Sequence, residues 1–335
     1  MIDTGTIRVD LVRAGDFMPF KDPQIPFGPA LAARALQAVF PLAWRVRYSS
    51  PDLQFATKPI GKPRPVRVPT RHGTVRILIY SPQAGDVAAQ LAAGHKPPVH
   101  LRMHASAFVL RMPEQEDNVA RYLASEVGCY VVLPDYDTAP DVRCPVAEQQ
   151  NYDVFWWMRE HADDYGWDAD RMTVGGASAG GKFALNVALQ AIDAGEYVPL
   201  AVSAEYGAAD ISLPDSRRTS PKRWPVVAPW MMKLARATYF NSADLTDPLA
   251  SPVKHPRLAE LPPTLILTAE CDTMRHEMNA LAEDLQAKGV RVIHRQFPGV
   301  DHYFTHTKPV EVARTAIGMI GDLLRQVYAG SAAEA

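Results

Sequence analysis

One serine is set between glycines in Gly176-x-Ser178-x-Gly180, directly after the apolar run Met172-Thr173-Val174 and directly before a helical pattern over Lys182 to Leu189. A strand, a sharp turn carrying a hydroxyl at its tip and a helix make a strained backbone whose flanking positions leave no room for Cβ atoms. They also aim the positive end of a helix dipole at the place where negative charge would develop. A serine hydroxyl is a weak nucleophile. It needs a base in contact, and the base needs a carboxylate to orient it. Candidates for both lie where later strands end. Asp272 follows the apolar run ending at Thr268-Ala269, and His302 sits in the loop Gly299-Val300-Asp301-His302-Tyr303-Phe304. His306 or Asp301 are alternatives in that loop, and Glu270 or Glu277 are alternative acids. The remaining histidines, His72, His95, His161, His255, His276 and His294, read as surface or hydrogen-bonded residues. His100 and His104 have a spacing that binds zinc on a helix, but they fall on a strand and its following turn, so no metal is expected.

These residues require a sheet whose strands end at one edge. Val66 to Val68 and Thr74 to Tyr80 flank Arg71-His72-Gly73 as a hairpin, and Pro97 to His104 is a strand running into a loop. A helix over Gln115 to Val127, a buried strand over Cys129 to Leu133 and a long helix over Val146 to Tyr165 follow. After the serine turn come strands at Pro199 to Tyr206, Thr264 to Ala269 and Arg291 to Phe297. Helices alternate with them at Arg275 to Lys288 and Pro309 to Tyr328. The alternation predicts an α/β fold with a mainly parallel central sheet covered by helices on both faces. Two stretches depart from it: residues 1–50, with a helix over Ala30 to Trp44, and residues 207–255, rich in proline with a helix near Trp230 to Tyr239. Together they are expected to form a helical cap over a core made of 51–206 and 256–335. Phe40, Trp44, Trp224, Trp230, Met231, Tyr239 and Phe240 are its candidate pocket residues, although aromatics at helical spacing more often pack a core.

Composition narrows the classes. Of 335 residues, 47% are hydrophobic and 21% charged, enough for a substantial core. Lys+Arg 35 against Asp+Glu 37, with no basic run, gives nucleic acid no footing. Three scattered cysteines suit free buried thiols in a reducing compartment. The start of the chain lacks the pattern of a secretory leader, and no apolar run of ~20 residues marks a membrane span. A cytoplasmic location, no cofactor and no metal are the expectations.

The motifs resemble those of the hormone-sensitive-lipase-like (family IV) carboxylesterases, over roughly residues 66–328. The family's elbow, usually Gly-Asp-Ser-Ala-Gly-Gly, is similar to Gly176 to Gly181. Its Asp-Tyr-x-x-Ala-Pro segment is matched by Asp135 to Pro140. Its acid motif, usually Asp-Pro-Leu-Arg-Asp-Glu, resembles Asp272 to Glu277, and its cap exit resembles Asp247 to Pro252. The resemblance implies an α/β-hydrolase fold with a helical cap and a triad of Ser178, Asp272 and His302. It also implies oxyanion donors in the backbone N–H groups of Ser106, Ala107 and Ala179. The implied function is hydrolysis of short- to medium-chain carboxylic esters through an acyl-enzyme, by a monomer or homodimer. The alternatives are an amidase, lactonase or acyltransferase with the same triad, or a non-catalytic small-molecule receptor such as the gibberellin receptors, which share the fold but lose the histidine.

Three departures matter. The family's oxyanion loop, His-Gly-Gly-Gly-Phe, reads His104-Ala105-Ser106-Ala107-Phe108 here. The N–H groups survive that change, so the cost is ~1 kcal/mol per residue wherever the backbone has positive φ. The added carbons should narrow the pocket beside the attacked carbonyl and exclude esters of bulky tertiary alcohols. The Ser106 hydroxyl is expected to turn into the protein. Ala177 stands where the family usually has Asp, which puts a loop-bracing contact in doubt. Lys182 replaces the usual Asn and reads as an exposed helix lysine.

Overall fold

The computed structural model describes residues 25–47, 50–241 and 243–334. The first 24 residues of the expected N-terminal cap segment, and the Trp44 side chain, lie outside the described part. Eight strands form one sheet in the order β1-β2-β4-β3-β5-β6-β7-β8. They are β1 (Arg64–Thr70), β2 (Gly73–Tyr80), β3 (Val99–Met103), β4 (Tyr130–Asp135), β5 (Met172–Ala177), β6 (Val202–Glu205), β7 (Thr264–Ala269) and β8 (Val292–Phe297). β2 runs antiparallel to both β1 and β4, and every later pairing is parallel. The hairpin joining β1 and β2 closes Thr70 on Gly73, which takes φ +104°.

β3, β5, β6 and β7 are buried along their whole length because helices cover both faces. α4 (Val146–Glu160), α6 (Ala179–Ala194) and α8 (Arg275–Ala287) pack against one face, in the core that holds Leu101, Val174, Phe183 and Met278. α3 (Asp117–Tyr122) and α9 (Val310–Glu334) cover the other, around Leu133, Leu265, Val119 and Ile317. Between β3 and β5 the chain reverses the direction in which it adds strands. That switch opens a crevice at the carboxyl ends of the strands.

Several elements differ from expectation. The helix expected over Gln115 to Val127 is a 3₁₀ turn at Pro113–Glu116, then α3, then a π turn at Leu123–Val127 ended by left-handed Gly128. The long helix expected over Val146 to Tyr165 breaks at His161, leaving the short α5 (Ala162–Tyr165). α2 (Ala84–Ala92), which buries no side chain, was not anticipated from the sequence. The expected cap helices exist as α1 (Phe27–Arg47) and α7 (Pro229–Ala237), packed on each other above the crevice. Phe27, Leu31, Val39 and Leu42 on α1 and Trp230 on α7 are exposed, as is Trp224 in the segment before α7.

Candidate active site

Ser178 ends β5 and caps α6 at φ +57°, ψ −119°. A non-glycine residue in that region carries strain of order 1–3 kcal/mol and persists only where its surroundings fix it. Here the Ser178 N–H donates to the Glu205 carbonyl at the end of β6 (2.9 Å), and the Ser178 carbonyl accepts from Gly181 N–H (3.0 Å). The glycines make the turn possible. A Cβ on Gly180 would lie 2.1 Å from the Met103 carbonyl oxygen, and one on Gly176 would lie 2.5 Å from the Gly180 carbonyl.

Two long-range hydrogen bonds line up behind this serine. His302 Nε2 is 2.9 Å from Ser178 Oγ, and His302 Nδ1 is 2.7 Å from Asp272 Oδ2. Asp272 is wholly buried, and its second oxygen accepts the Met274 N–H at 2.9 Å. The loop after β7 is stitched to the loop after β8, through Cys271 N–H to the Val300 carbonyl (2.9 Å) and Glu270 N–H to the Phe297 carbonyl (3.0 Å). Asp301 holds the His302 N–H (2.7 Å), and the Tyr206 ring meets the imidazole edge to face with centroids 4.9 Å apart.

The alternative candidates lie elsewhere. His306 is buried against Thr305 Oγ1 (2.8 Å), and burial lowers its pKa to about 4. Glu277 is buried in an ion pair with Arg218, and Glu270 accepts the Gly299 N–H. His100 bonds Thr173 (2.9 Å), and His104 lies flat on the Tyr136 ring at 4.2 Å. His255, expected to be a surface or hydrogen-bonded histidine, is buried and bonded to Asp193 (2.9 Å).

The loop over His104 to Phe108 shows where its extra Cβ atoms are felt. Ala107 (φ +47°) and Phe108 (φ +64°) are left-handed, whereas Ala105 and Ser106 are not. Local bonds stabilise this path. The Ser106 hydroxyl turns inward and accepts the Phe108 N–H at 3.0 Å, and the Ser106 carbonyl accepts from Leu110 N–H at 2.8 Å. Tyr136 donates to the His104 carbonyl (2.6 Å), while the Phe108 ring is set among Phe183, Tyr239 and Phe240. Among the described residues, the Ser106 and Ala107 N–H groups donate to no protein acceptor. The Ala179 N–H, in the first turn of α6, has no acceptor within the helix.

A cavity of about 100 Å³ opens at Ser178 and His302. Its wall on the cap side is Phe40, Val226, Val227, Met231, Met232 and Ala235. Of the expected residues whose side chains are described, Phe40 and Met231 reach it. Tyr239 and Phe240 are core behind Phe108, and Trp224 and Trp230 face outward. The cap wall is tied to the loops below it. Thr273 Oγ1 donates to the Val227 carbonyl (3.0 Å), the Val226 N–H donates to Asp301 (3.2 Å), and the Ser220 hydroxyl donates to the Cys271 carbonyl (2.5 Å).

Lys182 corrects the sequence reading. It is 0% exposed, because its helix face is turned into the junction of core and cap. Its ammonium donates to Glu148 Oε1 (2.5 Å), the Leu249 carbonyl (2.6 Å) and Asn186 Oδ1 (2.9 Å), while Tyr239 donates to the other Glu148 oxygen (2.6 Å). A second buried cluster lies behind the serine turn, where Arg102 pairs with Glu116 (2.7 Å) and Glu205 (3.0 Å). One guanidinium serves two carboxylates. Arg102 outweighs burial at Glu116 and holds its pKa below the usual range, whereas burial and the nearby Glu116 charge push Glu205 up to about 7. Among the cysteines, Cys129 and Cys271 are buried and Cys144 is partly so.

A family model for the alpha/beta hydrolase fold matches residues 100–306. The chain therefore belongs to the α/β-hydrolase-fold family, in its hormone-sensitive-lipase-like branch, and is an esterase of that fold. It is 27% identical over 292 residues to an acetyl esterase of Salmonella schwarzengrund, covering 86% of this chain and 85% of that protein. An arylesterase of Saccharolobus solfataricus is 26% identical, with 81% of this chain and 85% of that protein covered. Among solved structures, a Pyrobaculum calidifontis esterase superposes with a TM-score of 0.77 at 29% identity, over 88% of this chain and 93% of that one. A thermostable carboxylesterase cloned from a metagenomic library gives 0.77 at 26% identity, over 90% and 97%. No described helix is long and apolar enough to cross a membrane.

Proposed function

We propose that this chain is a serine carboxylesterase that hydrolyses short- to medium-chain esters through an acyl-enzyme on Ser178. The observation that carries the reading is the continuous line from Asp272 through His302 to Ser178 at the floor of an apolar cavity. His302 Nε2 takes the Ser178 proton as Oγ attacks the ester carbonyl. The Asp272 carboxylate holds the Nδ1–H tautomer and stabilises the imidazolium that forms. The oxyanion of the tetrahedral adduct is received by the N–H groups of Ser106, Ala107 and Ala179, each donor contributing ~3 kcal/mol to the barrier lowering. His302 then protonates the departing alkoxide, and the same imidazole deprotonates the water that releases the acid. The small apolar cavity favours compact, mainly hydrocarbon acyl groups. The intact contact between base and nucleophile weighs against a receptor that only binds.

The test pairs a fluorophosphonate probe with p-nitrophenyl esters of increasing chain length, on the wild-type protein and Ser178→Ala. Labelling and turnover lost together in the variant support the proposal. Labelling of the wild type without ester turnover points instead to acyl transfer or another acyl substrate, and no labelling at all defeats the assignment of Ser178.

A further inference from the structure

Five polar side chains line the cavity: Ser178, His302, Ser106, Gln115 and Tyr303. The first two hold the chemistry, and the third is turned into its own loop. Gln115 and Tyr303 have no role in the mechanism, yet both are buried and bonded to each other across 188 positions of sequence, with Tyr303 OH donating to Gln115 Oε1 at 3.0 Å. Tyr303 holds φ +69°, ψ +25°, a left-handed backbone that an aromatic residue adopts at a cost. Its ring is fixed flat on His306, centroids 4.2 Å apart. Gln115 uses its other end on the oxyanion loop, where Nε2 donates to the Ala105 carbonyl at 2.5 Å and to the Met112 carbonyl at 2.9 Å.

The Ala105 carbonyl and the Ser106 N–H belong to one peptide group. That group is planar and trans, so its C=O and N–H point in opposite directions. Pinning the oxygen on the Gln115 side turns the hydrogen the opposite way. Glycine in this loop would leave the peptide free to rotate. Here Ala105, Ser106 and Ala107 restrict the backbone, and Gln115 Nε2, with His104 Nδ1 at 2.9 Å from the same carbonyl, holds which way the plane faces.

We propose that Tyr303 and Gln115 are positioning residues, which aim the Ser106 N–H at the oxyanion and hold the histidine loop in register with the oxyanion loop. The proposal rests on the acyl-enzyme reading above. They act on the transition state, because the plane they fix carries a donor used only when the oxygen becomes charged.

The experiment compares two ketones of identical chain: a trifluoromethyl ketone, which Ser178 adds to and leaves as an oxyanion, and the methyl ketone, which stays neutral. Tyr303→Phe removes one oxygen and keeps the ring on His306; Gln115→Leu removes both ends of the link. The expected result is a kcat lowered about ten-fold in each with KM within about two-fold. Trifluoromethyl ketone inhibition should weaken about ten-fold and methyl ketone inhibition should not change. The double variant should be no worse than the poorer single one. Should Gln115→Leu not fold, Tyr303→Phe carries the test alone. Wild-type kcat in Tyr303→Phe, or equal weakening of both ketones, overturns the proposal. A wild-type protein that neither turns over esters nor binds the trifluoromethyl ketone removes the acyl-enzyme reading instead.

Discussion

Lys182→Met provides a stringent test of how the cap is joined to the core. The side chain replaced is fully buried, as is its partner Glu148. Removing the ammonium leaves a carboxylate in a low-dielectric site with the Tyr239 hydroxyl and the weakly donating Cys144 thiol as its neighbours, and breaking a buried pair in this way costs about 3–5 kcal/mol. The Leu249 carbonyl and Asn186 Oδ1 lose the same donor, and each acceptor left without a partner adds roughly 1–3 kcal/mol. Against a net stability of ~5–15 kcal/mol, the single variant should be severely weakened. Glu148→Gln in the same chain removes the stranded charge and keeps an acceptor for Tyr239, so the double variant should regain at least ~2 kcal/mol. Urea denaturation followed by far-UV circular dichroism at neutral pH measures both. A single variant within ~1 kcal/mol of wild type, or a double variant no more stable than the single, would refute the reasoning.

Three further outcomes are expected. Asp272→Asn should lower kcat by about 10⁴-fold while leaving KM within a few-fold, because the amide holds the imidazole in the wrong tautomer; p-nitrophenyl acetate kinetics measure it. Tert-butyl acetate should be hydrolysed far more slowly than ethyl acetate, since Ala105, Ala107 and Leu110 crowd the cavity beside Ser178, and comparable rates would contradict this. Glu205, with its pKa pushed up to about 7 by burial and the Glu116 charge, binds its proton more tightly folded than unfolded. Its contribution to stability is therefore complete below the ordinary carboxyl value near 4.5 and lost as pH climbs through about 7, a change of roughly 3 kcal/mol. Glu205→Gln lacks that titration, so the stability of wild type relative to the variant should fall between pH 5 and 8; parallel profiles would contradict it.

What the sequence made legible followed from local rules. Gly176 and Gly180 announce the turn because any larger residue strikes the Met103–His104 backbone or the turn itself. Asp272 and His302 were readable because each lies in the loop just past a strand, and parallel strands of one sheet share a carboxyl edge. Lys182 was misread because helical spacing gives no hint that α4 and the chain near Leu249 close over that face of α6. Gln115 and Tyr303 escaped notice for a related reason. Their link joins elements 188 positions apart, and no pattern in either segment encodes it. Among the aromatic candidates of the cap, Tyr239 and Phe240 took the core packing that is commoner at such spacing, since periodicity identifies an apolar face but not what that face touches.

The bonds between Val226, Val227 and Ser220 and Asp301, Thr273 and Cys271 make the roof of the cavity an extension of the loops that carry Asp272 and His302. Selectivity and reactivity are thereby mechanically linked. Backbone shifts at 226 or 227 that enlarge the cavity are therefore expected to reach the His302 loop through Asp301, so variants selected for longer substrates should lose rate unless a compensating change arises at 273 or 301.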